Sequence, residues 1–94
     1  MMEKIIDLLH SGGYSCVIGN GTEIRTFTQR SVADLYDLFR QDPSFMKGAG
    51  IADKVIGKAA AGLMVLGGIR QVYADVISQP ALALLHNANI EVSY

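Results

Sequence analysis

Cysteine, tryptophan, proline and net charge are all scarce in this chain of 94 residues. The one cysteine, Cys16, excludes an internal disulfide and any zinc knuckle built from thiolates. A reducing cytoplasm suits such a chain. The formal charge of −1 and the pI of about 6.0 leave no basic field, so no nucleic-acid partner is expected. The longest apolar run, residues 59–69, falls well short of the ~20 residues that span a bilayer, and no membrane role is expected. The opening Met-Met-Glu-Lys-Ile-Ile-Asp carries acids and no small-residue cleavage pattern, so it does not read as a signal peptide. The expectation is a soluble cytoplasmic protein.

Half of the residues are hydrophobic, enough for one core and one domain over residues 1–94. Residues 2–10 form an amphipathic helix through Ile5, Ile6, Leu8 and Leu9, stopped by Gly12-Gly13. Residues 14–19 and 22–28 are rich in β formers and flank Asn20-Gly21, which predicts a hairpin with a type I′ turn. Ser31-Val-Ala-Asp34 has the form of a capping box. Val32, Leu35, Tyr36 and Phe39 then follow at helical spacing until Asp42-Pro43. A loop follows, and a central apolar helix is expected over residues 51–67. The small residues Gly57 and Gly62 suggest close backbone approach to a sheet or ligand. The aliphatic residues 63–66 cover most of its circumference, which suggests a second cover from another subunit. Gly67-Gly68 turns the chain into a strand over 69–77. Ser78 and Pro80 open the next helix, and residues 90–94 form a last strand. The order α-β-β-α-α-β-α-β implies an α/β fold with a mixed sheet and helices on both faces.

The phrases Ala-Asp-Lys-Val-Ile-Gly-Lys-Ala-Ala-Ala (52–61), Val-Tyr-Ala-Asp (72–75) and Ile-Ser-x-Pro-Ala (77–81) resemble the uncharacterised DUF1893 family. The hairpin and the stretch 30–36 fit as well. The resemblance implies a cytidine deaminase-like fold, a three-layer α/β/α sandwich. It also shows what is missing. Zinc nucleoside deaminases carry His or Cys with Glu at one helix start and Pro-Cys-x-x-Cys at the next. The equivalents taken here, Gly57-Lys58-Ala59 and the run from Pro80 to Leu84, hold no ligand. His10, Cys16 and His86 lack ligand spacing, so neither a metal nor any other cofactor is expected.

The candidate site is the glycine-broken mouth of the central helix. Gly48 and Gly50 would let a phosphate approach the backbone. The helix start favours an anion, and Lys54 and Lys58, four apart, would share one face. Asp53 would contact a sugar hydroxyl or act as acid or nucleophile. Asp75, toward the carboxyl end of the 69–77 strand, is the second catalytic candidate, with Ser78 as a further ligand contact. A structural account competes at each position: Asp53 as a first-turn acid, the lysines as a solvated face, Ser78 as a cap, Arg25 and Arg30 as surface residues. Neither a Walker pattern nor a dinucleotide fingerprint fits, because Ala52 and Ala59 stand where the Walker pattern needs Gly and Ser or Thr. The reading is a metal-free binding or regulatory module for a nucleotide or other phosphorylated small molecule. The alternatives are an enzyme using Asp53 and Asp75, and a structural homo-oligomeric subunit.

Overall fold

The computed structural model describes residues 1–94. Helix α1 (Met2–Ser11) leads into strands β1 (Cys16–Asn20) and β2 (Glu23–Phe27). Helix α2 (Ser31–Gln41) and the single turn α3 (Pro43–Met46) follow. Then come β3 (Gly50–Ile56), α4 (Lys58–Gly67), β4 (Gln71–Ile77), α5 (Gln79–Asn87) and β5 (Glu91–Ser93). The sheet order is β2-β1-β3-β4-β5. Strand β1 runs antiparallel to both neighbours, whereas β3, β4 and β5 run parallel to one another. The expected three-layer α/β arrangement with a mixed sheet is what the chain forms.

The main departure is at the centre. Residues 51–56, read above as the opening turns of a long helix, are extended and form the middle strand of the sheet. The helix begins only at Lys58, with Gly57 as its extended N-cap. The element order therefore gains a strand between two helices. The cause lies in the strand's burial. Ile51 packs in the core beneath α2, α4 and α5, whereas Ala52 packs in a smaller core beneath α1. A strand buried on both faces shows no polar alternation and cannot be told from a buried helix by period. The alanine-rich run after Gly57 then merges with it.

Two local expectations also shift. The hairpin register pairs Asn20 with Glu23, so the loop residues are Gly21 and Thr22. Only Gly21 takes positive φ, at +61°, which is the type II′ pattern and not I′. The Asn20 amide is thereby free to donate to the carbonyls of Phe45 and Lys47, at 2.8 and 3.0 Å. Ser31 is the first residue inside α2, not its cap, and Arg30 occupies the cap position.

Parallel crossovers β3–α4–β4 and β4–α5–β5 progress in one direction, so a single hand places α4 and α5 on one face. Helix α2 packs beside α4 there, and α1 alone lies on the other face against β1 and β3. Helices α2 and α5 of the same chain cover the flanks of the apolar α4, while Leu66 on α4 stays exposed. Its C-terminus closes on Gly68 at φ +77°, whose N–H reaches back to the carbonyls of Met64 and Val65. A Cβ added at Gly62 would meet nothing within 4 Å, so close approach does not explain that glycine. Gly62→Ala is therefore expected to raise stability by roughly 0.5–1 kcal/mol through helix propensity. Gly68→Ala, forced into the left-handed region, is expected to lower it by about 1 kcal/mol. Urea midpoints moving in opposite directions for the two variants are the check.

Candidate functional site

The carboxyl end of β3 opens between the starts of two helices. Gly57 lets the strand pass into α4, and the end of β2 passes through Gln29 and Arg30 into α2. The result is a cavity of about 470 Å³, walled by Ser15, Gln29, Arg30, Ser31 and Val32 on one side and by Asp53 to Val55 and Gly57 to Ala60 on the other. That volume lies within the range of small-molecule sites. No Cβ occupies the space at Gly57, where an added one would meet nothing within 4 Å. Neither α2 nor α4 has a side-chain cap; the Ala33 N–H donates to the Arg30 carbonyl at 2.9 Å, and the amides of Ser31 and Val32 in α2 and of Lys58 to Ala60 in α4 are left for solvent or a ligand. Helix α5 is different, because Ser78 Oγ accepts the Ala81 N–H at 3.2 Å.

Asp53 forms part of the cavity floor and is fully buried. Its Oδ1 accepts the Ser31 hydroxyl at 2.5 Å, with the Val55 N–H more distant at 3.4 Å. Its Oδ2 is buried without any partner. Burial disfavours the charge and pushes the carboxyl up to about 6, despite the opposing hydrogen bonds from Ser31 and the backbone; Asp34 pushes it further up. Cys16, opposite Asp53 on β1, is buried, and burial together with that carboxylate raises its thiol well above the usual value.

The residues chosen from sequence separate into three places. Asp53 and Lys58 meet at the cavity. Lys54 lies on its rim, but strand alternation carries its side chain to the α1 face, beside Asp75, whose carboxyl it helps to hold low. The two lysines therefore share no helix face, since Lys54 is in β3 and Lys58 in α4. Gly50 starts the opposite end of β3, roughly 10 Å from Asp53 by strand rise, and with Gly48 just before it lines a hollow of about 290 Å³ that also includes Met1, Met2 and Arg70. Asp75 faces α1, where it accepts from Tyr73 Oη at 2.7 Å and sits 2.7 Å from His10 Nε2. These contacts fasten α1 to β4; the Tyr73 and His10 hydrogen bonds hold Asp75 below the ordinary carboxylate range. Asp53 and Asp75 point to opposite faces of the sheet and cannot act on one substrate together. Ser78 lies in its capping role outside the cavity.

Two cavity residues carry more than the sequence suggested. Ser31 looked like a helix cap and Arg30 like a surface cation. Both stand at the wall because α2 starts there. Arg25, by contrast, is engaged by Glu23 and Asp42 at 2.6 and 2.9 Å and lies over the Phe45 ring.

The family described as TM1506, domain of unknown function (DUF1893), matches residues 4–94. The chain belongs to the DUF1893 family. Among solved structures, a DUF1893 family protein (TM1506) from Thermotoga maritima is similar at a TM-score of 0.86 and 25% identity, over 99% of this chain and 63% of that one. RibD of Acinetobacter baumannii is similar at a TM-score of 0.62 and 19% identity, over 98% of this chain and 33% of that one. The DUF1893 chain thus spans less than two thirds of either relative's length. The RibD likeness supports the deaminase-like fold. No curated protein matches the sequence.

A deaminase-like fold raises the question of zinc, and the residues do not fit it. The two helix starts at the cavity are those of α2 and α4, so the second comparison position moves from Pro80, on α5, to Gly57. Arg30-Ser31-Val32 and Gly57-Lys58-Ala59 offer neither thiolate nor imidazole. No three His, Cys, Asp or Glu side chains converge anywhere in the chain.

The raised Asp53 carboxyl is a cost to folding. The unfolded carboxyl ionises near 3.8, and the folded one holds its proton to about 6. Stability is therefore undiminished below about pH 4, falls as pH rises toward 6, and stays reduced above it. A shift of that size corresponds to about 3 kcal/mol. Asp53→Asn keeps an acceptor for Ser31 and removes the charge. The variant is expected to be more stable than wild type at pH 7.5 by on the order of 1–3 kcal/mol, with the gap closing near pH 4. Denaturant titrations across that range give the comparison.

Proposed function

We propose that this DUF1893 domain is a binding or regulatory module that holds a phosphorylated small molecule, nucleotides included, in the cavity between α2 and α4. The observation that carries the reading is the meeting of two uncapped helix starts at one cavity, with Arg30 and Lys58 on its walls. Each start presents free amides and the positive end of a helix dipole, an arrangement suited to phosphate oxygens. The buried, partnerless oxygen of Asp53 supports it, because a carboxylate kept at a cost to stability in a cavity marks a site more often than a scaffold. An enzymatic role for the same cavity would rest on Asp53 with Ser31, whose hydroxyl already donates to it; Asp75 has no part in it.

Titration with inorganic phosphate and with nucleoside monophosphates tests the reading. A rise in melting temperature is expected with wild type. Lys58→Ala is expected to weaken binding by roughly two- to fivefold, the weight of one cation at a helix-start anion site. Absence of any shift at millimolar concentrations would count decisively against it. Product analysis on the same samples separates binding from turnover.

A further inference from the structure

Two serine hydroxyls stand on the cavity wall, and they are held differently. Ser15 Oγ donates to the backbone carbonyls of Phe27 and Gln29, at 3.1 and 2.5 Å. Ser31 Oγ donates to Asp53 Oδ1 at 2.5 Å, within the range of about 2.5–2.7 Å for a hydroxyl on a charged carboxylate. A carbonyl is no base for a hydroxyl proton, whereas a carboxylate is one. Asp53 itself has no exposed surface, so a molecule in the cavity would meet the half-buried Ser31 and not the carboxyl behind it. Burial pushes that carboxyl up to about 6, which makes it a stronger base than an ordinary aspartate. A second serine–aspartate pair shows the contrast. Ser44 Oγ donates to Asp42 Oδ1 at 2.9 Å, but that pair is exposed and Arg25 holds its carboxyl low. Ser31 also opens α2, where its own amide and that of Val32 are free. Free amides beside a hydroxyl stabilise negative charge that develops there.

We propose that Ser31 is a nucleophile with Asp53 as its general base, and that the phosphorylated ligand passes its phosphoryl group to Ser31 Oγ. The inference rests on the phosphate reading above and adds a reaction to it. Asp53, considered above as a nucleophile itself, takes the part of the base. Oγ forms a bond to phosphorus, and its proton passes to Asp53 Oδ1. The bond from phosphorus to the leaving oxygen breaks, with its electron pair on that oxygen. The products are a phosphorylated Ser31, the leaving group and a protonated Asp53, the form that burial favours. Asp53, shut behind Ser31, cannot hand its proton to the leaving oxygen. The donor is therefore an acyl phosphate or a phosphoanhydride, whose leaving group departs as a stable anion. A simple alcohol phosphate, whose alkoxide needs a proton, does not serve. Arg30 and Lys58 on the walls, with the free amides, offset the charge on the group in transfer.

The test incubates the full chain with acetyl phosphate or adenosine 5′-triphosphate and locates any modification by intact-mass and peptide mass spectrometry. One phosphoryl group on Ser31 is expected from at least one donor, and which donor works tells an acyl phosphate from a phosphoanhydride. Ser44 is expected to stay unmodified, and glycerol 3-phosphate is expected to leave Ser31 unmodified. In Asp53→Asn, expected above to be the more stable protein, the rate is expected to fall at least about a hundredfold while inorganic phosphate still binds. The wild-type rate is expected to rise with pH to a plateau, with its midpoint near 6, as Asp53 loses its proton. That midpoint is expected to vanish in Asp53→Asn. A rate that Asp53→Asn leaves unchanged, or no mark on Ser31 from either donor while inorganic phosphate binds, overturns the nucleophile inference and leaves the phosphate site standing. Failure of inorganic phosphate and both donors to bind overturns both.

Discussion

The structure depends on one strand being buried on both faces. Strand β3 pairs with β1 on one edge and β4 on the other, so its backbone is satisfied on both sides. Its side chains serve two cores: Ile51 and Ile56 toward α2, α4 and α5, Ala52 toward α1. The small Ala52 lets α1 lie close, and the parallel pairing with β4 requires a crossover, which α4 supplies. Everything else is arranged around that strand, and the polar residue it carries inward is Asp53.

Placing a carboxylate there couples fold and site. Asp53 costs stability through desolvation, and the Ser31 hydroxyl recovers part of it by tying the start of α2 to the end of β3. The same bond holds one wall of the cavity. The cavity is thus built from two helix starts and a strand end, and not from a long loop. The position follows the general habit of α/β sheets, whose ligand crevices lie beyond the carboxyl ends of parallel strands.

The opposite face has a different economy. Helix α1 is held by Ile5 and Leu9 against Val17 and Ala52, and by the His10–Asp75–Tyr73 contacts at its end. Those polar groups are partly exposed, and their contribution is orientation more than energy. They explain why Asp75, which lies near a ligand-prone strand end in sequence, has no place in the cavity: strand alternation turns it away.

Several features were legible in the chain by itself, because they depend on neighbours in sequence. The amphipathic α1, the hairpin at Asn20-Gly21, the stop at Gly67-Gly68 and the Ser78 cap are set by local backbone preference and by hydrogen bonds a few residues long. The phrase around Asp53 to Lys58 also lies along the wall of the cavity. Tertiary structure alone decided that residues 51–56 are a strand, since a run buried on both faces loses the periodic signal that separates strand from helix. It alone decided that Arg30 and Ser31, more than twenty residues before Asp53, form the cavity's other wall, and that Gly48, Gly50, Asp75 and Ser78 do not belong to it. Which side chains share a cavity depends on sheet order and strand alternation, and those are fixed by long-range pairing that no local stretch of sequence contains.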